Sequence, residues 1–135
     1  MREIKEIILH CSASKPNQDF DISDIRRWHV EDNGWDDVGY HYFIKLDGTI
    51  QKGRDIEKVG AHCKGHNKHS IGICYCGGLD LDGKPADTRT DKQKASMYLL
   101  ITRLLKRFPN ASVIGHNAFA NKACPGFDVK KEWNL

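Results

Sequence analysis

Several features of common protein classes are missing from the sequence: it has no C-x-x-C pair, no internal repeat and no low-complexity tract. Without a C-x-x-C pair, the common structural zinc ribbons are excluded. No apolar stretch approaches the roughly 20 residues that a membrane-spanning helix needs, so we expect no membrane insertion. The first ten residues, MREIKEIILH, place charges among the isoleucines and lack the apolar core of a signal peptide. We therefore expect synthesis in the cytoplasm.

The net charge and the cysteine content argue against two further classes of protein. The net charge of +3, from 21 basic and 18 acidic residues, is too small to indicate nucleic acid as a partner, although it favours an anionic polymer slightly. Five cysteines are an odd number for a disulfide framework, and no secretory signal accompanies them. Free thiols are the simpler interpretation.

The chain of 135 residues has the length of one domain with one core, so we predict a single domain over 1–135. Periodicity predicts strands at Ile7–Leu9 ending at His10, Tyr42–Leu46, Thr49–Gln51, Ser70–Cys76 and Ser112–Gly115. Helices are predicted after Asp21 or Ser23 as far as Asn33-Gly34, after a Thr90–Gln93 capping box as far as Pro109, and around 129–133. The predicted fold class is mixed α/β, a central mixed β-sheet flanked by helices.

Three side chains are candidate metal ligands: His10 and His116, which end the first and last strands, and Cys124 in the loop that follows. Strand ends can converge at one edge of a sheet, and two imidazoles with a thiolate leave a fourth zinc position open for water. Spacing alone does not separate this reading from two structural histidines and a buried thiol.

Four motifs in order change that balance: HCSASKP at 10–16, GWDDVGYHYFIKLDGTIQKGRD at 34–55, VGAHCKGHNKHSIGICYCGG at 59–78 and GHNAFANKACPGFD at 115–128. From about residue 7 to 133 the chain resembles the zinc-dependent N-acetylmuramoyl-L-alanine amidases, the family of phage T-seven-type lysozymes and animal peptidoglycan recognition proteins. The resemblance implies the fold of that family.

The resemblance also implies a function and a site. It implies hydrolysis of the amide bond between the lactyl group of muramic acid and L-alanine of peptidoglycan, in cell-wall lysis or remodelling by a phage or prophage endolysin. His10, His116 and Cys124 match the ligands of one zinc ion per chain. Tyr40 in VGYHY and Lys122 in NKACPGFD match the catalytic tyrosine and lysine.

These residue types suit the reaction. Zinc polarises a carbonyl and lowers the pKa of bound water toward about 7. Lys122 can stabilise the tetrahedral oxyanion, and Tyr40 can hydrogen-bond the attacking water or move a proton. Without the motif, Tyr40 would be a half-buried aromatic and Lys122 a solvated loop charge.

Further polar residues are assigned from their surroundings. In the family the stretch around His62 and Asn67 lines the substrate groove, so both are candidate substrate-binding residues; the alternatives are a histidine that packs behind the ligands and a turn asparagine. His41 is expected to be structural, Cys11 to face away from His10, and three histidines to be solvated: His29, His66 and His69.

Two other functions stay open beside the amidase: a non-catalytic peptidoglycan-binding module and a regulator that binds a phage RNA polymerase. The polymerase-binding regulator is the less favoured of the two, because the chain starts almost directly at its first strand, whereas the phage enzymes it resembles have a longer N-terminal arm. A structural zinc domain is a further alternative. We expect a monomer that recognises a muramyl peptide, binds no nucleic acid and acts on the wall after release from the cell.

Overall fold

The computed structural model describes residues 2–133, so Met1 and residues 134–135 of the predicted domain lie outside the described part. One five-stranded sheet has the order β3-β2-β4-β1-β5. Its strands are β1 (Glu6–Cys11), β2 (Tyr42–Ile44), β3 (Ile50–Lys52), β4 (Ser70–Tyr75) and β5 (Ser112–Gly115). All neighbouring strands run parallel except the β2–β3 hairpin. The mixed sheet that the sequence predicts is confirmed.

Burial explains why β1 and β4 are central. Every residue of β4 is buried, as are five of the six residues of β1. Continuous apolar strands of this kind suit a sheet that is covered on both faces. Both strands were predicted, with every boundary within two residues of the observed one.

The β2–β3 hairpin turns at Asp47-Gly48, as its sequence predicts. The Asp47 carboxylate accepts a hydrogen bond from the Thr49 amide at 2.9 Å. Gly48 has a φ of +89°, and a Cβ there would lie 2.9 Å from the carbonyl oxygen of Lys92. The turn therefore needs glycine both for its backbone conformation and for the close approach of the next helix.

The long helix α2 (Asp91–Arg107) covers one face of the sheet. Thr90 and Gln93 form the predicted capping box. Its buried stripe packs on β1 and β4 and comprises Met97, Leu100, Ile101 and Leu104. Burying each such side chain stabilises the fold by about 1.5–3 kcal/mol before entropy is subtracted. No helix among residues 2–133 is long and apolar enough to cross a membrane.

Helix α1 (Ile22–Arg27) covers the opposite face, where Ile25 packs with Val38 and Phe43. Asp21, one of the two predicted caps, accepts the amides of Ser23 and Asp24. A π-helical turn at Trp28–Asp32 continues the segment to the predicted end near Gly34. The short helix α3 (Val129–Glu132) packs against β5 near the end of the described chain.

His41 is a buried histidine between the sheet and the 53–60 loop, with 1% of its surface exposed. The Gly72 amide donates to Nδ1 at 3.0 Å, so Nδ1 is an unprotonated acceptor and Nε2 donates to the Lys58 carbonyl at 2.8 Å. Burial lowers the pKa of His41 to about 4. The expectation that His41 is structural agrees with these contacts.

Because folded His41 resists protonation, the protein should lose stability in acid. An unfolded histidine takes up a proton below about pH 6.5, whereas folded His41 does so only near pH 4, so the loss falls between these values. At about 1.4 kcal/mol per pKa unit, the contribution to the free energy of unfolding is on the order of 3 kcal/mol. Urea unfolding at several pH values in this range should show the loss of stability. In His41→Asn the free energy of unfolding should depend less steeply on pH, by about one proton. An unchanged slope in the variant would contradict this assignment.

Candidate metal centre and active site

The three predicted metal ligands meet at the carboxyl end of the sheet. The ligand atoms of His10, His116 and Cys124 all lie within 4.8 Å of one another. His10 is 1% exposed, whereas His116 and Cys124 are partly buried. Residues 10 and 124 are far apart in sequence, so the fold is what assembles this cluster.

Strand register explains why the two histidines are neighbours. β1 and β5 are parallel, with Leu9 opposite Gly115, so His10 near the end of β1 and His116 directly after β5 lie side by side. Their ring centroids are 4.6 Å apart. Ile7, Leu9 and Cys11 face the core under α2, which turns the alternate residue His10 to the other face. The expected opposite orientation of Cys11 is confirmed.

Several contacts fix the loop that carries Cys124. The Cys11 amide donates to Cys124 Sγ at 3.1 Å, and the Tyr75 hydroxyl donates to the Pro125 carbonyl at 2.6 Å. Further along, the Arg89 guanidinium lies 3.4 Å from the centroid of the Phe127 ring. The Arg89 side chain is 5% exposed and bonds to Asp87 and Glu132. The thiolate position is therefore held by packed structure on both sides.

The electrostatics favour the neutral, metal-binding form of the two histidines, whereas a hydrogen bond with Cys11 and burial raise the pKa of the Cys124 thiol. Burial, with the charges of His62, His116 and Lys122, lowers the pKa of His10 well below its usual value. Burial and Lys122 also lower the pKa of His116. Both imidazoles are thus neutral at physiological pH, which is the form that binds a metal. All five cysteines are free thiols, as predicted.

Tyr40 and Lys122 flank this cluster. The Tyr40 ring lies with its centroid 5.1 Å from that of His10 and 5.4 Å from that of His29. Burial raises the pKa of Tyr40 well above 10, so its hydroxyl stays protonated. Lys122 is exposed, and its charge acts on both His10 and His116. The structure thus brings both residues to the edge of the predicted metal centre.

His62 and Asn67 lie behind and beside the cluster. Nδ1 of His62 is 2.8 Å from Nε2 of His10, and Nε2 of His62 is 3.1 Å from the Ser70 hydroxyl. The Asn67 side-chain oxygen accepts the amides of His62 and Cys63, both at 2.9 Å. Asn67 therefore shapes a turn, and substrate contact by either residue stays a prediction.

A groove of about 770 Å³ opens above the cluster. Its walls carry two aromatic side chains that sequence reasoning missed, Trp35 and Phe119, and a basic one, Lys64. Trp35 stands 37% exposed. Both aromatic residues lie within the motifs at 34–55 and 115–128, but no periodic signal assigns them to a groove, because their loops come together only in the folded chain.

All three histidines expected to be solvated are partly buried, and two of them pack on aromatic rings in this region. Nδ1 of His29 accepts the Gly39 amide at 2.8 Å, and its ring packs on Trp35. The His66 ring stacks on Phe119 at 3.7 Å between centroids. The expectation that these side chains are solvated was wrong for both, because each imidazole packs against an aromatic ring. His69 is also partly buried, and its Nδ1 lies 3.0 Å from the Glu3 carbonyl.

Comparison with known proteins gives consistent relatives. A sequence model of the family described as N-acetylmuramoyl-L-alanine amidase matches residues 1–127. The endolysin of Escherichia phage T7 is 47% identical over 127 residues, covering 94% of this chain and 83% of that protein. The endolysin of Klebsiella phage KP32 is 42% identical over 132 residues, covering 98% and 87%. The amidase LysC from Clostridium intestinale URNW has a TM-score of 0.83 at 25% identity, covering 99% and 87%.

Proposed function

The chain belongs to the N-acetylmuramoyl-L-alanine amidase family, and on that premise we propose that it is a zinc enzyme whose metal is bound by His10, His116 and Cys124. Its reaction is hydrolysis of the amide bond between the muramic acid lactyl group and L-alanine of peptidoglycan. Its role is cell-wall lysis.

The observation that carries the zinc proposal is the cluster itself. Two neutral imidazoles and one thiol converge within 4.8 Å, and one of the imidazoles, that of His116, lines an open groove. This donor set suits zinc, and three protein ligands are typical of catalytic rather than structural sites. Zinc bound there supplies Lewis acidity, which polarises the scissile carbonyl and makes water nucleophilic near neutral pH.

Lys122 acts on the charge that develops in the reaction. The carbonyl oxygen gains negative charge when the amide carbon is attacked, and a nearby ammonium stabilises that charge. The charge of Lys122 contributes to lowering the pKa of His10 and of His116, so it acts at the positions of the predicted metal ligands. We assign it to oxyanion stabilisation.

Tyr40 acts as a hydrogen-bond donor. A phenol whose pKa is raised by burial keeps its proton and is a poor general base. Its ring packs against the rings of His10 and His29, which fixes its orientation at the edge of the metal cluster. We assign Tyr40 to holding the substrate or the tetrahedral intermediate.

The groove chemistry agrees with a muramyl peptide as substrate. Trp35 and Phe119 offer apolar faces for a sugar ring or a stem-peptide side chain, and Lys64 and Lys122 offer charges for peptide carboxylates. A non-catalytic binding module is less well supported, because all three ligands and both catalytic candidates are present. Cytoplasmic synthesis, release to the wall, a monomeric state and polymerase binding stay predictions.

The bond that is cut can be identified directly. Purified peptidoglycan is digested, and the soluble products are separated and weighed by mass spectrometry. We expect free stem peptides that begin with L-alanine, and intact glycan strands that keep the lactyl carboxylate. Products cut within the glycan or within the peptide would contradict the proposed reaction, and binding without release would move the protein to the recognition class.

A further inference from the structure

Each ring nitrogen of His62 has a hydrogen-bond partner, although His62 is not one of the three clustered ligands. It is 8% exposed, with Nδ1 directed to Nε2 of His10 at 2.8 Å and Nε2 directed to the hydroxyl of the fully buried Ser70 at 3.1 Å. His10, His62 and Ser70 therefore form one buried chain of hydrogen bonds that ends at a predicted metal ligand.

The surrounding backbone leaves space for this ring. A Cβ at Gly72 would lie 2.6 Å from the ring carbons of His62, and a Cβ at Gly60 would lie 2.8 Å from its Cδ2. Asn67 holds the backbone of the same segment by accepting the His62 amide. A side chain at either glycine would displace the ring, so the position of His62 depends on both strand β4 and the loop before it.

The hydrogen bond between the two histidines decides which nitrogen of His10 is free. A neutral imidazole carries one proton, and the 2.8 Å contact uses Nε2 of His10. If the proton of the pair sits on Nε2 of His10, Nδ1 of His10 keeps a free lone pair. If it sits instead on Nδ1 of His62, the proton of His10 must occupy Nδ1 and block it.

We infer that His62 is a positioning residue that accepts a hydrogen bond from Nε2–H of His10, leaving Nδ1 of His10 to bind the metal, while Ser70 accepts from Nε2–H of His62. This inference rests on the proposed zinc site. The arrangement fixes the tautomer and the ring orientation of His10 before metal arrives. It also raises the basicity of the ligand, as hydrogen-bonded partners of metal-bound histidines commonly do.

Zinc affinity measures this role apart from catalysis. His62→Leu keeps an apolar group of similar size but has no acceptor, and we expect the zinc dissociation constant to rise by about 10–100-fold. His62→Asn places an amide oxygen near the former Nδ1 and should recover most of that loss. Ser70→Ala leaves the contact with His10 in place and should give a smaller rise. Affinities are measured by competition with a chromogenic chelator.

His41→Asn is the matched control. His41 is also a buried histidine with both ring nitrogens near polar partners, but it makes no hydrogen bond to His10. We expect this variant to lower thermal stability and to leave the zinc dissociation constant unchanged. If it weakened zinc binding as much as His62→Leu, the effect would be general loss of packing and the inference would be overturned.

Histidine ring ¹⁵N NMR of the zinc-loaded wild-type protein reads the tautomers without any substitution. We expect Nε2–H on both His10 and His62, with Nδ1 of His10 bound to metal. A proton on Nδ1 of His62, or unchanged zinc affinity in His62→Leu, would overturn the inference while leaving the zinc site intact. Failure of the wild-type protein to bind zinc would instead overturn the proposed function.

Discussion

Cys124→Ser should abolish zinc binding and peptidoglycan hydrolysis while the protein remains folded. The substitution replaces the thiolate of the cluster with a hydroxyl, which is a weak zinc ligand at neutral pH. Since losing an outer partner of a metal ligand already weakens binding by about 10–100-fold, losing a ligand should exceed the upper end of that range. Zinc content by mass spectrometry and release of stem peptides report the two losses.

The fold should survive because Cys124 is only partly buried and its loop has other anchors. The Tyr75 hydroxyl bonds to Pro125, and Arg89 packs on Phe127. We expect the free energy of unfolding of the metal-free protein to change by about 1 kcal/mol, which is typical of a point substitution. Unfolding of Cys124→Ser would favour the alternative of a structural zinc domain.

Cys63→Ser is the matched control for this experiment. Cys63 is a buried thiol that lines the same groove but is not among the three clustered ligands. The control should keep one zinc ion per chain and retain hydrolysis. Loss of zinc from Cys63→Ser, with retention in Cys124→Ser, would contradict the assigned ligand set.

Lys122→Gln should lower kcat by about 100–1000-fold, the usual effect of removing one donor that stabilises an oxyanion. Glutamine keeps a polar side chain, one atom shorter than that of lysine, and removes the charge. Because the charge acts on the transition state, we expect KM to change little. The zinc content should stay at one per chain, since Lys122 is not a ligand. Rates are measured on a soluble muramyl peptide at saturating zinc.

Two further variants separate a local role of Lys122 from general electrostatics. Lys122→Arg keeps the charge with a different shape and should recover part of the rate. Lys130→Gln removes an exposed lysine of α3 outside the groove and should leave kcat unchanged. Equal losses from Lys122→Gln and Lys130→Gln would show that net charge, rather than a placed ammonium, governs the rate.

Local sequence signals were sufficient for most of the fold. The Thr90–Gln93 capping box, the Asp47-Gly48 turn and the apolar runs of β1 and β4 each act through neighbouring residues, so their elements were predicted within a few residues. Strand order was not predicted, because the parallel pairing of β1 with both β4 and β5 depends on contacts across more than 60 residues.

The candidate site also has residues that the sequence predicts and contacts that depend on the tertiary fold. His10, His116 and Cys124 were candidate ligands because strand ends and a loop can meet at one edge of a sheet. The family motifs decided in favour of these ligands and also identified Tyr40 and Lys122. The hydrogen bond between His10 and His62 joins residues 52 positions apart, and no local pattern predicts it. Trp35 and Phe119 enter the groove from separate loops, so their contribution depends on the tertiary fold.

Titration of the metal-free protein with zinc, while the release of stem peptides from peptidoglycan is followed by mass spectrometry, tests the central claim most directly. If His10, His116 and Cys124 bind one catalytic zinc ion, hydrolysis should be absent without metal, rise linearly and reach its plateau at one zinc per chain. Full hydrolysis by the metal-free protein, or a rise with zinc that persists in Cys124→Ser, would contradict the account.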